Sequence, residues 1–214
     1  NNILTAILGY AELSLVEMAD DNPAKADIEQ IFLAANRAKE LVRQILTFSR
    51  KGEEIRQPVK PYCIINEALK LVRASLPSTM EIREEIDPAC GFILANPTHV
   101  HQVLVNLCTN ALHAMEDEKG VLTVSLARVE LREEDILNAP GVAPGSFIAL
   151  TIRDTGHGMS AVTVQRIFEP YFTTKEVGKG TGMGLAVVHG IVQRCGGFIK
   201  VESSPGQGST FTVF

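Results

Sequence analysis

Leu4, Leu8, Ala11, Leu15 and Met18 recur at spacings of 4, 3, 4 and 3, and Ile28, Ile31, Ala35, Ala38, Val42 and Ile45 at 3, 4, 3, 4 and 3. Both runs are heptad-like seams, so residues 1–52 are expected to form a helical hairpin. Asp20-Asp21-Asn22-Pro23 supplies the turn, with Asn22 as N-cap and Pro23 at the first helical position, where its missing N–H costs nothing. Further apolar residues flank the seams, among them Ile3, Ile7, Phe32, Leu41 and Leu46, which makes each stripe too wide for one partner. Pairing of two hairpins into a four-helix bundle, a homodimer through residues 1–52, would cover the excess. Packing of the hairpin on the rest of its own chain is the alternative.

Lys51-Gly52-Glu53-Glu54 closes the second helix and Pro58 and Pro61 follow, so 53–60 reads as a linker and 61–214 as a second domain. There the pattern predicts helices near Ile64–Ser75, Thr98–Glu116 and Met183–Arg194. Strands are expected near Met80–Ile86, Gly91–Leu94, Val121–Leu131, Phe147–Arg153, Phe198–Glu202 and Thr210–Phe214. Hairpins mixed with helices argue for an α+β chain: a helical hairpin followed by an α/β sandwich with a mixed sheet and helices on one face.

The 214 residues are 45% hydrophobic and 21% charged, which suits packed cores rather than disorder. A net charge of −5 without a basic run disfavours a nucleic-acid or anionic-membrane surface. Cys63, Cys90, Cys108 and Cys195 are scattered, which argues against a zinc cluster and for reduced thiols in a cytoplasmic compartment. No spanning helix or signal peptide is evident, and both ends read as cuts through a longer protein, which leaves membrane tethering to upstream segments.

Four pieces of the second domain suggest chemistry. Asn106 and Asn110 lie four apart and share a helix face, where carboxamide oxygens can ligate a hard cation such as Mg²⁺ shared with substrate phosphates. Standing alone, the pair would read as solvated amides. Asp154-Thr155-Gly156-His157-Gly158-Met159 follows an apolar strand; Asp154 can accept from an exocyclic amine, and Gly156 and Gly158 would let a flat ring approach the backbone. Gly178-Lys179-Gly180-Thr181-Gly182-Met183-Gly184-Leu185 runs straight into a helix, whose bare N–H groups can cradle phosphate oxygens. Gly206-Gln207-Gly208-Ser209-Thr210-Phe211 is equally consistent with a hairpin turn. His99 and His101, two apart on a helix, point to different faces and make a poor metal pair.

With Phe168-Glu169-Pro170-Tyr171-Phe172-Thr173-Thr174-Lys175 between the second and third pieces, the ordered set resembles the N, G1, F, G2 and G3 boxes of sensor histidine kinases. Residues 1–52 resemble the dimerisation and phosphotransfer hairpin of that family. The resemblance implies a Bergerat-type domain binding ATP and Mg²⁺, in a two-component system whose response-regulator receiver domain is the partner. Asn110 and Asn106 would hold Mg²⁺ against the triphosphate, with His113 near phosphate. Asp154 would read the adenine amine, Gly156 and Gly158 would make room, and Ser209 would stand where Thr is commoner. Phe168 and Phe172 would pack at the base of a mobile lid. Thr174, Lys175 and the loop Gly180, Thr181, Gly182, Met183, Gly184 and Leu185 would close over the phosphates. Phe168 and Phe172 also read as core, and Lys175 as a solvated charge.

In the family the phosphoacceptor His lies just ahead of a pair like Asn1-Asn2, and all five histidines here fall outside the hairpin. The sequence as printed is therefore expected to bind ATP without phosphorylating itself. Asn2 matches the family position tied to the reverse, phosphatase reaction. Two other functions stay open. An ATP-hydrolysing clamp, as in gyrase B or the mismatch-repair ATPases, would carry a Glu where Asn106 stands, and an amide cannot take a proton. A nucleotide-responsive dimer scaffold without catalysis is the other.

Overall fold

The computed structural model describes residues 2–19, 22–35, 38, 56–74, 80–115, 119–137, 139–175 and 180–214. Asn1, Asp20, Asp21, Leu41, Val42, Ile45, Leu46, Ser75, Glu116, Gly178 and Lys179, to which the sequence assigns roles, lie outside the described residues. The chain divides into two compact units, Asn1–Gly52 and Glu53–Phe214.

In the first unit α1 spans Asn2–Glu17 and a second helical stretch, α2, covers 25–35. Asn22 caps α2 as its side chain suggests: Oδ1 accepts the Ala24 N–H at 2.9 Å. Leu8 and Ala11 of the first seam and Ala35 of the second are buried. Of the described apolar residues beside the first seam, Ile3 is 78% exposed, Ile7 40%, Tyr10 73% and Val16 80% within the single chain.

In the second unit β2 (Met80–Ile86), β4 (Gly120–Leu131), β5 (Gly145–Asp154), β7 (Ser209–Val213) and β6 (Ile199–Ser203) form one sheet in the order β2-β4-β5-β7-β6. β2 runs parallel to β4 and the remaining pairs are antiparallel, so the sheet is mixed. α3 (Pro61–Ala74), α4 (Pro97–Ala114) and α6 (Gly184–Arg194) supply the other half of the core. β4 shows why one face is covered: Leu122, Val124 and Leu126 are buried, while the alternate Thr123 and Ser125 are half-buried and Ala127 is exposed.

Gln57–Val59, inside the span read as a linker, is a strand, β1, paired antiparallel with β3 (Ile93–Ala95). Pro58 is the middle residue of this three-residue strand, in a two-stranded sheet where a missing N–H is tolerated, and Pro61 opens α3 just after it. α5 (Ala161–Arg166), capped by Ser160 through the Thr163 N–H, is too short for its periodicity to show in sequence.

Candidate functional site

The inner face of the sheet ends in a row of polar side chains. Register pairs Leu150 with Val213, Ile152 with Phe211 and Asp154 with Ser209 across β5 and β7. It also pairs Val213 with Ile199, Phe211 with Val201 and Ser209 with Ser203 across β7 and β6. Opposed residues share a face, so Asp154, Ser209 and Ser203 continue two apolar rows in which Leu150, Ile152 and Phe211 are buried. Ser203 escaped the sequence reading. Its signal was the spacing around Pro205 to Gly208, a tight turn that sets residue 203 opposite 209.

Asp154 is 3% exposed. Its Oδ1 accepts the Gly156 N–H at 2.9 Å and the Ser209 N–H at 3.2 Å, and neither bond uses Oδ2. Burial raises its pKa above the usual carboxylate value, against the opposing pull of those two amides and of His157. A buried carboxylate with one oxygen fixed and one uncommitted suits an N–H donor from outside the protein.

Gly156 and Gly158 each stand against backbone. A Cβ on Gly156 would strike the Ala114 carbonyl, and one on Gly158, whose φ is +65°, would strike the Ser204 carbonyl. Backbone bonds follow the same paths: His157 N–H donates to Ala114 at 3.0 Å, and Gly206 N–H to His157 at 2.7 Å. The glycines thus let three backbone segments meet: the end of α4, the turn after β5, and the β6–β7 hairpin. Thr155 adds to this junction by accepting the Val121 N–H at 3.0 Å.

Asn106 and Asn110 come together at the start of α6. A Cβ on Gly184, the first residue of α6, would lie 3.7 Å from Asn106 Oδ1 and 4.0 Å from Asn110 Nδ2. No side chain caps this helix start, so its first amide donors and the positive end of its dipole lie close to Asn106 and Asn110 without a side-chain acceptor. His113 lies on the last turn of α4, half-buried. Among the described residues no group of three or more His, Cys, Asp or Glu could hold a metal. The donors present fit a hard cation only where phosphate oxygens and water complete its shell.

The Phe168–Lys175 segment meets the glycine loop. Tyr171 N–H donates to the Gly182 carbonyl at 3.0 Å, and a Cβ on Gly182, whose φ is +64°, would strike the Tyr171 backbone. Tyr171 itself has φ of 66°, unusual for a bulky side chain. A Cβ on Gly180 would lie 2.7 Å from Thr173 Oγ1, and Met183 N–H donates to Thr181 Oγ1 at 3.3 Å. Phe168 stacks on His189 with centroids 5.0 Å apart, and Phe172 lies under Arg166 at 4.4 Å. Both aromatics pack against the main core, as does Leu185. Thr174 is exposed and Lys175 half-buried. Of Asn2, at the start of α1, no side-chain placement is described, and α1 belongs to the other unit.

His99 is buried and His101 half-buried. A cavity of about 510 Å³ at the opposite end of α4 and α6, lined by His99, Val103, Ile191 and Phe214 among others, contains none of the residues of the polar row. Cys108, fully enclosed, has its thiol pushed up to about 12 by burial and is inert.

Residues 95–214 match the family model described as histidine kinase-, DNA gyrase B-, and HSP90-like ATPase. The whole chain aligns at 38% identity over 216 residues with the sensor kinase CckA of Brucella abortus, spanning 22% of that protein. It covers less than half the length of the first curated relatives it matches. Among solved structures, full-length ShkA in complex with AMPPNP superposes with a TM-score of 0.75 at 23% identity, over 99% of this chain and 42% of that one. The histidine kinase ThkA in complex with the response regulator TrrA gives 0.65 at 20% identity, over 98% and 56%. At these identities the superpositions show the shared fold.

Proposed function

This chain belongs to the histidine kinase-, DNA gyrase B-, and HSP90-like ATPase family, and from that membership we propose that it is the core of a sensor histidine kinase. It would move the γ-phosphoryl group of ATP to a histidine outside this sequence, and from there to an aspartate of a response-regulator receiver domain. The observation that carries the proposal is the meeting of Asn106 and Asn110 with the uncapped start of α6, next to the loop that Tyr171 and Gly182 tie down.

The residues divide the work by chemistry. Asp154 accepts the exocyclic amine of the purine on Oδ2, and the row it shares with Ser209 fixes the base at the ends of β5 and β7. The amides opening α6 bind the phosphate tail together with Gly180, Thr181, Gly182, Met183, Gly184 and Leu185. Asn110, with Asn106, holds Mg²⁺; when bound, this cation neutralises charge on the phosphates. His113, Lys175 and Thr174 lie on the segments that border the phosphate end. Phe168 and Phe172 anchor the segment leading to the lid on the core.

Phosphoryl transfer needs positioning and charge stabilisation rather than a protein base at the metal site. Asn106 fits that requirement, since an amide cannot deprotonate water as the clamp ATPases require. Residues 1–52 are proposed as the dimerisation and phosphotransfer hairpin, with 61–214 as the catalytic domain; β1 extends that domain back into the 53–60 linker. Exposed Ile3, Ile7 and Tyr10 support a homodimer, and Asn2 is proposed to orient a water in the reverse reaction. A receiver-domain partner is supported by analogy with the ThkA complex. Among the described residues no helix is long and apolar enough to cross a membrane; a cytoplasmic location is proposed. The test mixes this chain and labelled ATP with a full-length relative that carries the histidine but a disabled nucleotide site. Label on the relative is expected, and its absence would remove the kinase reading.

A further inference from the structure

Resting on the reading of Asp154 as the purine-amine acceptor, we infer that Ser203 is a positioning residue that orients the Ser209 hydroxyl and makes the site select amino-purine over oxo-purine triphosphates.

Ser203 closes β6 and has three hydrogen-bonding neighbours. Its Oγ accepts the Met159 N–H at 2.8 Å, lies 3.0 Å from the Gly208 carbonyl oxygen and lies 3.0 Å from Ser209 Oγ. A serine hydroxyl has one proton to give and two lone pairs to receive. The Gly208 carbonyl can only accept, so the Ser203 proton goes there. One Ser203 lone pair takes the Met159 amide. The remaining contact is then a hydrogen bond only if Ser209 is its donor. This orientation is assigned from the network, and it is the one that satisfies all three contacts.

The consequence falls on the ligand side. With its proton committed to Ser203, Ser209 presents only lone pairs to anything outside the protein. Its cross-strand partner Asp154 uses Oδ1 for two amides and leaves Oδ2. The row therefore offers acceptor oxygens and no hydroxyl donor. A 6-amino purine brings a donor to these acceptors, directly or through water. A 6-oxo purine sets another acceptor against them, and because Asp154 and Ser209 are buried, an unmatched polar group there is costly. Removing the Ser203 hydroxyl frees the Ser209 proton to turn outward and satisfy a 6-oxo group.

The test is calorimetric titration of the chain with Mg-ATP and Mg-ITP at about pH 8, where carboxylates are ionised. The unsubstituted chain is expected to prefer ATP. Ser203→Ala should lower the ATP-to-ITP affinity ratio about tenfold, the weight of one hydrogen bond, and Ser203→Thr should restore it. Ser203→Cys, a weak donor and acceptor of similar size, carries the same expectation if the alanine variant does not fold. A ratio unchanged in Ser203→Ala, or equal weakening toward both nucleotides, would overturn the inference. Asp154→Asn separates the two failures. If it binds ATP as the parent does, the amine-acceptor reading falls and takes this inference with it. If it loses ATP while Ser203→Ala keeps the ratio, only the inference about Ser203 falls.

Discussion

Ser209 donates its backbone N–H to Asp154 Oδ1 at 3.2 Å across the β5–β7 ladder, so the carboxylate is held by the strand opposite as well as by its own turn. Asp154→Asn keeps the shape and removes the charge, and with it a charge-assisted bond worth about 1.5 to 3 kcal/mol. ATP affinity should fall by roughly ten- to a hundredfold, and calorimetry reads this directly.

The same residue predicts a pH effect. Burial raises the Asp154 pKa in the folded protein, so the native state holds a proton that the unfolded chain has released. Stability should therefore fall as pH rises from about 4, the unfolded aspartate value, through the raised native one. ATP binding, which needs the carboxylate, should weaken as pH falls through that raised value. Melting and titration series on the parent and Asp154→Asn should differ in this window, and identical curves would remove the argument.

At the start of α6, Asn110→Asp exchanges a neutral amide for an anionic oxygen beside the donors of the helix start. The carboxylate would repel phosphate oxygens where the amide can donate to them. Mg-ATP affinity should drop by about tenfold, or about 1.4 kcal/mol, while the melting temperature of the nucleotide-free protein stays close to the parent's.

Gly158→Ala should behave in the opposite way. Its Cβ would meet the Ser204 carbonyl at a φ of +65°, so the nucleotide-free protein should lose at least about 2 kcal/mol in denaturant unfolding. A variant as stable as the parent that lost only ATP affinity would return this glycine to the role of clearing space for the base.

That contrast marks how far the sequence was legible. Alternating strands and the Asn22 cap depend on neighbours within a few residues, and they emerged where the pattern put them; of the seams, Leu8, Ala11 and Ala35 are buried while Ile31 is exposed. Asn106 and Asn110 were readable as a pair because helical spacing alone puts them on one face. Ser203 was not, since its meaning lies in the register between β6 and β7 and in one proton shared among Met159, Gly208 and Ser209. Gly156 and Gly158 were recognised as points of close approach, but what approaches is backbone from Ala114 and Ser204, a tertiary fact that spacing does not carry. β1 was hidden for the same reason, because Gln57–Val59 becomes a strand only against Ile93–Ala95.

Tyr171 holds a φ of 66° and donates its N–H to Gly182. Tyr171→Gly removes the steric cost of that conformation but adds freedom to the unfolded chain, so these effects, each about 1 kcal/mol, should nearly cancel. Gly182→Ala has no such compensation, because its Cβ would enter the Tyr171 backbone. It should destabilise the second unit and weaken ATP binding together. Thermal melts with and without nucleotide would check both, and a Gly182→Ala protein melting like the parent would contradict the close contact.

The first unit makes its own prediction. Ile3, Ile7 and Tyr10 repeat the 4, 3 spacing of Leu4, Leu8 and Ala11 one position to the side. Yet Ile3, Ile7 and Tyr10 are exposed while Leu8 and Ala11 are buried. A second seam at helical spacing is what a bundle of two hairpins uses. Exposed apolar surface of this kind favours association by about 25 cal/mol for each Å² removed from water. Sedimentation of the chain should give a dimer at micromolar concentration. Ile7→Lys with Tyr10→Lys places charge on that seam without touching Leu8 or Ala11, and should shift the species to monomer while leaving the helical circular dichroism near the parent's. A parent that sediments as a monomer, or a double variant that remains dimeric, would show that this face is not the interface.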